Sequence, residues 1–258
     1  MTIVKEGRYI YCVIASSQER SFGPMGIGER GDDVSTIGYN DLSMVVSSHP
    51  ISKLVVNREN MIAHEKVIEA VMKEFDGVLP VRFGTIAANA DEIRNLLSRR
   101  YREFKSALRD MDHKVELGVK GIWKNMPAIF KEIVDENKAI KRTKENIQNS
   151  KNKKNVQAKT EIGKMVEKAL EKKKEKEAEK VVEAFRRTAF DYKLNKTIGD
   201  EMFVNAAFLV DKGREKEFDN IMCDMGEKYK KRVRFMYTGP LPVFNFVNIV
   251  IYPEEWEK

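Results

Sequence analysis

Short apolar, β-branched runs dominate the first third of the chain. Arg8–Ala15 (Arg-Tyr-Ile-Tyr-Cys-Val-Ile-Ala) has the length and composition of a strand, and its aromatic and β-branched content places it centrally in a sheet. Val34–Tyr39 and Leu42–Ser47 read as two more strands, joined as a hairpin by the two-residue turn signal Asn40-Asp41. The period then changes. From Asn57 to about Phe75, residues Met61, Ile62, Val67, Ile68, Val71 and Met72 recur at helical spacing. Asn89–Met111 forms a second amphipathic pattern with Ile93, Leu96, Leu97, Tyr101, Phe104 and Leu108 on one face. Between the helices lies the densest apolar stretch, Gly77–Ile86 (Gly-Val-Leu-Pro-Val-Arg-Phe-Gly-Thr-Ile), expected to be a core strand that both helices pack against. The order β, β, β, α, β, α describes an N-terminal α+β domain over residues 1–111.

In Lys114–Trp123, Val115, Leu117 and Val119 alternate with Lys114, Glu116, Gly118 and Lys120, the pattern of a half-buried strand opening a second domain over residues 112–258. Pro127 suits a first helical turn, and Ala128, Ile129, Phe130, Ile133 and Val134 make a short apolar face. Beyond Asn137 the stripe thins. Gln148–Asn155, almost without apolar residues, predicts an exposed turn, after which a helix runs to about Leu194 through Ile162, Met165, Val166, Ala169, Leu170, Val181, Val182, Phe185, Ala189 and Phe190. These segments describe a long helical hairpin, about residues 127–195, with its tip near residue 150. Glu201–Val210 reads as a strand, and Asp211 caps a helix through Tyr229 with Phe218, Ile221, Met222 and Met225 on its apolar face. Val233–Tyr237 is a further strand, Thr238-Gly-Pro-Leu-Pro242 a break, and Val243–Tyr252 an apolar terminal strand. The expected fold class is therefore α+β in two domains, the second a ferredoxin-like βαβ plan with the hairpin inserted after its first strand.

Composition adds limits. With 258 residues, 42% hydrophobic and 34% charged, the chain is long enough for two cores and has the composition of a soluble globular protein. No apolar run approaches the ~20 residues needed to span a bilayer, and Met1–Gly7 lacks a signal-peptide core, so a cytoplasmic location is expected. Cys12 and Cys223, one in each half, each sit within an apolar pattern and read as buried free thiols rather than a disulfide. The formal charge of +7 suits an anionic partner, but most of the excess lies between Lys141 and Lys180. There lysines alternate with glutamates, which describes a solvated, salt-bridged helix face sooner than a phosphate track.

A search for chemistry by residue type yields little. Gly26-Ile-Gly-Glu-Arg-Gly31 matches the dinucleotide-binding pattern in letters only, because that pattern must sit directly between a strand and a helix, and Asp32–Ile37 reads as another strand. His64 has no cysteine or second histidine at metal spacing and reads as a hydrogen-bonded boundary residue. Gly-x-Ser-x-Gly, Walker A, His-Glu-x-x-His and Cys-x-x-Cys are absent, so no catalytic, cofactor-binding or metal-binding residue is assigned and a non-enzymatic role is expected. Arg82 within its apolar run has two readings: a buried guanidinium anchoring a loop or helix end, which is favoured, or a partner-facing charge.

Several of these segments, in order, carry a resemblance: Tyr9-Ile-Tyr-Cys-Val-Ile14, Gly26-Ile-Gly28, Leu42-Ser-Met-Val-Val-Ser47, His64 in its helix, Leu79-Pro-Val-Arg-Phe-Gly84, and Thr238-Gly-Pro-Leu-Pro242 before Phe246-Val247. Together they resemble the gas vesicle accessory proteins GvpF and GvpL, although the family's usual Gly-Pro-Trp-Pro-Pro-Tyr is Gly239-Pro-Leu-Pro-Val-Phe244 here. The resemblance implies an N-terminal α+β domain and a C-terminal modified ferredoxin-like domain. It also implies a part in gas vesicle organisation, through binding of the hydrophobic shell-forming protein and other accessory proteins, without a cofactor, a small-molecule substrate or a membrane. Arg82, Phe83, Pro240, Leu241 and Phe244 become the candidate partner contacts. A nucleic-acid-binding role for the basic arm is the alternative, disfavoured because its lysines are interleaved with glutamates.

Overall fold

The first sheet is built on β1 (Glu6–Ile14) in the computed structural model, which describes residues 5–28, 30–52, 54–149 and 156–251. With β2 (Ser21–Gly23), β3 (Val34–Tyr39), β4 (Leu42–Pro50) and β5 (Val78–Pro80) it forms the order β2-β3-β4-β1-β5, and β6 (Ile86–Ala87) also pairs with β1. These pairings are antiparallel. The β3–β4 hairpin closes at Asn40-Asp41 with Tyr39 opposite Leu42, and Asn40 takes the left-handed conformation (φ 54°) that asparagine tolerates.

Two buried clusters flank this sheet. Helix α1 (Arg58–Met72) begins where the Asn57 side chain accepts the Asn60 N–H at 2.8 Å, a cap that contributes about 1 kcal/mol. Its Val67, Ile68 and Val71 pack with Tyr9, Tyr11, Val45 and Val78. On the opposite face, α2 (Ala90–Arg99) and α3 (Tyr101–Asp110) bring Ile93, Leu97 and Phe104 against Ile10, Val13 and Leu79. A β-bulge in β1 decides what meets α1. The register passes from Ile10 opposite Val46 to Cys12 opposite Val45, so Tyr11 and Cys12 both join Tyr9 in the α1-side cluster.

Two expectations for this region are corrected. The pattern over Asn89–Met111 is two helices interrupted at Arg100 (φ −101°, ψ 18°), whose guanidinium donates to Glu103 and to the Val250 carbonyl. The stripe stays in phase across the interruption, so periodicity alone reads one helix. Gly77–Ile86 is likewise not one strand. β5 ends at Pro80, Val81 bridges Ile249 in parallel, and a turn at Phe83-Gly84 sends Ile86 and Ala87 back to β1. Gly84 (φ 84°) and the Thr85 hydroxyl, which donates to the Arg82 carbonyl at 2.6 Å, make that turn.

The second sheet contains β7 (Lys114–Trp123), β8 (Ala189–Leu194), β9 (Met202–Asp211) and β10 (Val233–Leu241) in the order β10-β7-β9-β8. Between β7 and β8 run α4 (Met126–Glu136), α5 (Lys138–Asn149) and α6 (Val156–Phe185); α7 (Glu215–Tyr229) joins β9 to β10 after a short 3-10 turn. Phe185 of α6, Phe208 of β9 and Phe218 of α7 form an aromatic core, with Phe185 and Phe218 stacked at 4.1 Å between ring centroids. The expected tip of the arm near residue 150 lies outside the described residues.

Here too the chain departs from expectation. The long helix stops at Phe185 instead of reaching Leu194, and Ala189–Leu194 is strand β8. Its sequence, Ala-Phe-Asp-Tyr-Lys-Leu, alternates with period two, while the Phe185–Ala189 spacing imitates a helical stripe. Thr238–Leu241 is not a break but the end of β10, whose place at one end of the sheet order lets Pro240 enter without losing a ladder bond. Cys223 is exposed, whereas Cys12 is buried.

The chain divides into two compact units, one formed by residues up to Glu116 together with those from Pro240, the other by Leu117–Gly239. This differs from a single cut at residue 111, because the last segment returns to the first unit. Val243–Ile251 is an irregular run rather than the expected terminal strand, and Tyr252 lies outside the described residues. Buried Glu116 fixes the run, accepting the Asn245 backbone N–H at 2.8 Å and its side-chain amide at 2.5 Å.

Candidate partner-contact site

The site begins with Tyr9, Tyr11 and His64: the two tyrosines stand at alternate positions of β1 and so share its α1 side, where His64 of α1 meets them. The Tyr9 hydroxyl lies 2.9 Å from His64 Nδ1 and accepts the Gly84 N–H at 3.1 Å. With one acceptor site taken by Gly84, the hydroxyl keeps a proton and a second lone pair, so either partner of the Tyr9–His64 bond can donate. Nε2 is buried without a hydrogen-bond partner among the described residues; the Val81 backbone acts against burial, favouring the charged form. Burial dominates and lowers the His64 pKa to about 4. The Tyr11 hydroxyl bonds the Ser47 hydroxyl at 2.9 Å and accepts the Ile27 N–H at 2.8 Å, and burial pushes both phenols up.

His64 is the hub of an aromatic cluster. Its ring stacks on Tyr11 at 5.6 Å, meets Phe83 edge-on at 5.7 Å and lies 6.2 Å from Phe244, measured between centroids. Phe244 is 40% exposed, so it covers the buried histidine while presenting a ring to solvent. Of the five expected contact residues, Phe83 and Phe244 are therefore brought together through His64. Arg82 is exposed, and its guanidinium has no hydrogen bond or ion pair among the described residues. This corrects the favoured reading of a buried anchor: the turn after Val81 points the side chain outward while Phe83 turns inward. Pro240 is exposed and Leu241 half-buried at the end of β10, apart from the His64 cluster. The glycine-rich loop Gly26–Gly31 leads into β3 rather than a helix, and its Gly26 N–H bonds the Asp32 carbonyl at 2.9 Å. Among the described residues, no group of three or more His, Cys, Asp or Glu side chains is placed to hold a metal ion.

The model of the family described as gas vesicle synthesis protein GvpL/GvpF matches residues 7–248. This chain belongs to the GvpL/GvpF family. It is similar to gas vesicle protein F of a Streptomyces species (26% identical over 240 residues, 93% of this chain and 98% of the relative). It also resembles gas vesicle protein F of Haloferax mediterranei (25% over 221 residues, 84% and 83%). Crystal structures of the gas vesicle protein GvpF from an Anabaena species and from Microcystis aeruginosa share its fold. Their TM-scores are 0.82 and 0.79, each at 21% identity; the alignments cover 95% of this chain and 100% of the first, and 94% and 99% for the second. Among the described residues of this GvpL/GvpF member, no helix is long and apolar enough to cross a membrane.

One surface of this GvpL/GvpF chain was missed because β8 reads as helix in the sequence. Phe190, Tyr192 and Leu194 stand at alternate positions of β8 and are 64%, 38% and 56% exposed, with Ile198 close behind. β8 ends the sheet order, so one of its edges has no neighbouring strand among the described residues. The alternation within Ala189–Leu194 was the signal that could have found it.

Proposed function

We propose that this protein is a non-enzymatic gas vesicle assembly factor or minor vesicle component in the cytoplasm, binding the hydrophobic shell-forming protein and other accessory proteins so that the shell nucleates or grows. The observation that carries the reading is the apolar edge strand β8. An exposed strand edge bearing large apolar side chains is a template for strand addition, which soluble proteins otherwise blunt with charge or proline. Here Phe190, Tyr192 and Leu194 are exposed, and such an edge suits an aggregation-prone subunit that needs a soluble partner before assembly. The exposed pair Arg82 and Phe244 supplies a candidate contact on the first unit.

We read the second unit as a modified ferredoxin-like domain. Support comes from its β-α-β-β-α-β element order, with three helices in the first crossover, and from the strand order β10-β7-β9-β8.

The test is co-expression with the shell-forming protein followed by pull-down, comparing the unaltered chain with a Tyr192→Lys/Leu194→Lys variant. Retention of the shell protein by the unaltered chain and its loss in the folded variant is the expected result. If neither the shell protein nor any accessory protein is retained by the unaltered chain, the assembly reading fails; retention by both forms removes β8 from it.

A further inference from the structure

Helices α4, α6 and α7, with β9 and β10, wall a groove of about 640 Å³ in the second unit. Its floor is apolar, with Ile133, Val181, Phe203 and Met225 buried and Met165 and Ala169 half-buried. Lys168, Lys172, Lys176 and Lys180 stand along its rim at i, i+4 spacing, all exposed. None of the four forms an ion pair among the described residues; this helix makes ion pairs instead at its Lys173 and Glu177.

The carboxylates of the groove are already engaged. Glu132 receives Arg232 and Lys173, Glu136 receives Lys173 at 2.9 Å, and Glu177 receives Arg232 at 2.8 Å and the Trp123 indole N–H at 2.7 Å. Three carboxylates and six cations line the groove, so the excess positive charge sits in the lysine row. Like charges one helical turn apart each cost a few tenths of a kcal/mol, roughly 0.2–0.5. A surface that keeps this repulsion beside an apolar floor matches a ligand that offers apolar side chains and a line of negative charge together.

We infer that this groove docks an amphipathic α-helix of another protein, its apolar face seated on Met165, Ala169 and Phe203 and a flanking row of Asp or Glu meeting Lys168, Lys172, Lys176 and Lys180. The row from Lys168 to Lys180 rises by twelve residue steps of α6, about 18 Å, so the docked helix has at least about three turns. Charge complementarity selects this partner class. A nucleic acid would use the lysines but not the floor, and the aromatic rings there are taken: Phe203 stacks on Trp123 at 5.1 Å, and Tyr229 meets Phe235 edge-on at 6.4 Å. The inference does not depend on the β8 edge.

The test is fluorescence anisotropy of the full chain with a labelled synthetic helix of about four turns bearing leucines on one face and glutamates along its flank, against a lysine-flanked version and a single-stranded oligonucleotide. The glutamate helix is expected to bind and to weaken as salt rises, while the other two fail. Lys172→Glu/Lys176→Glu, which retains helix propensity, should weaken it about tenfold or more and should gain affinity for the lysine-flanked helix. Ala169→Glu, placing a charge on the floor, should abolish binding; circular dichroism and urea unfolding verify that the variants fold. Oligonucleotide binding that depends on the same lysines, equal binding of both helices, binding of neither, or insensitivity to Ala169→Glu overturns the inference.

Discussion

The Tyr9 hydroxyl and His64 Nδ1 are 2.9 Å apart inside the first unit, and the far side of the imidazole, Nε2, is buried without a hydrogen-bond partner among the described residues. Tyr9 lies on the central strand and His64 on the helix that covers it, so one hydrogen bond ties the sheet to α1 across the apolar cluster. The same hydroxyl also accepts the Gly84 N–H, linking both to the turn that separates exposed Arg82 from inward Phe83. Replacing Tyr9 by Phe keeps the ring but strands both the Gly84 N–H and Nδ1. The expected cost is roughly 1–3 kcal/mol, read as a lower urea midpoint with unchanged m-value; no change would show that water restores both bonds.

The buried imidazole makes stability depend on pH. The native pKa of about 4 lies below the unfolded value of 6.5, so between these limits the unfolded chain binds a proton that the folded chain refuses. The stabilisation is complete above pH 6.5 and is lost as pH falls toward 4, with a slope of up to about 1.4 kcal/mol per pH unit. His64→Gln removes the titrating ring. Urea unfolding of both proteins at pH 7.5, 6 and 4.5 should show the unaltered chain losing roughly 2 kcal/mol more than the variant over this range; parallel pH profiles would refute the assignment.

In the second unit Arg232 joins α4 to α6 by donating to both Glu132 and Glu177, and burial of the trio is partial. Hydrogen bonds from Arg232 first, then Lys173, hold the Glu132 carboxyl below its ordinary pKa, so this contribution is present above about pH 4.5 and lost below it. Arg232→Met leaves two carboxylates facing one another with Lys173 and the Trp123 indole as their partners among the described residues. A loss of roughly 1–3 kcal/mol is expected after allowance for solvent screening. Arg232→Lys should recover only part of it, because a point charge cannot fork to both acids. A thermal midpoint for Arg232→Lys equal to that of the unaltered chain would show that charge geometry is immaterial here.

What was legible in the sequence was set by periodicity, and what was not was set by contacts distant in sequence. Val34–Tyr39, Leu42–Ser47, Lys114–Trp123 and α1 could be read because one face of each buries regularly spaced apolar residues. The return of Val243–Ile251 to the first unit depends on Glu116 accepting from Asn245 and on Val81 bridging Ile249, neither of which leaves a local pattern. Phe83 and Phe244 were singled out by family resemblance alone; their shared contact with His64 needs the turn after β5 and the terminal segment to meet α1 together. Arg82 misled because an arginine within an apolar run looks buried, whereas the turn at Gly84 leaves it outside.

Arg82 and Phe244 separate a contact role from a packing role. The Arg82 guanidinium is exposed and has no ion pair among the described residues, so Arg82→Ala should change stability by no more than about 0.5 kcal/mol. Phe244 packs on His64 with more than half its surface covered, so Phe244→Ala should cost roughly 1–2 kcal/mol and admit water to Nε2. That water would give Nε2 a partner and raise the His64 pKa from about 4 toward its ordinary value, which the imidazole NMR titration of the folded variant reads directly. If Arg82 meets a vesicle protein, Arg82→Ala lowers capture of that protein with the urea midpoint unmoved, and Arg82→Lys restores part of it. Undiminished capture by folded Arg82→Ala would leave the Phe244 ring, tested by Phe244→Leu to keep His64 covered, as the contact that remains.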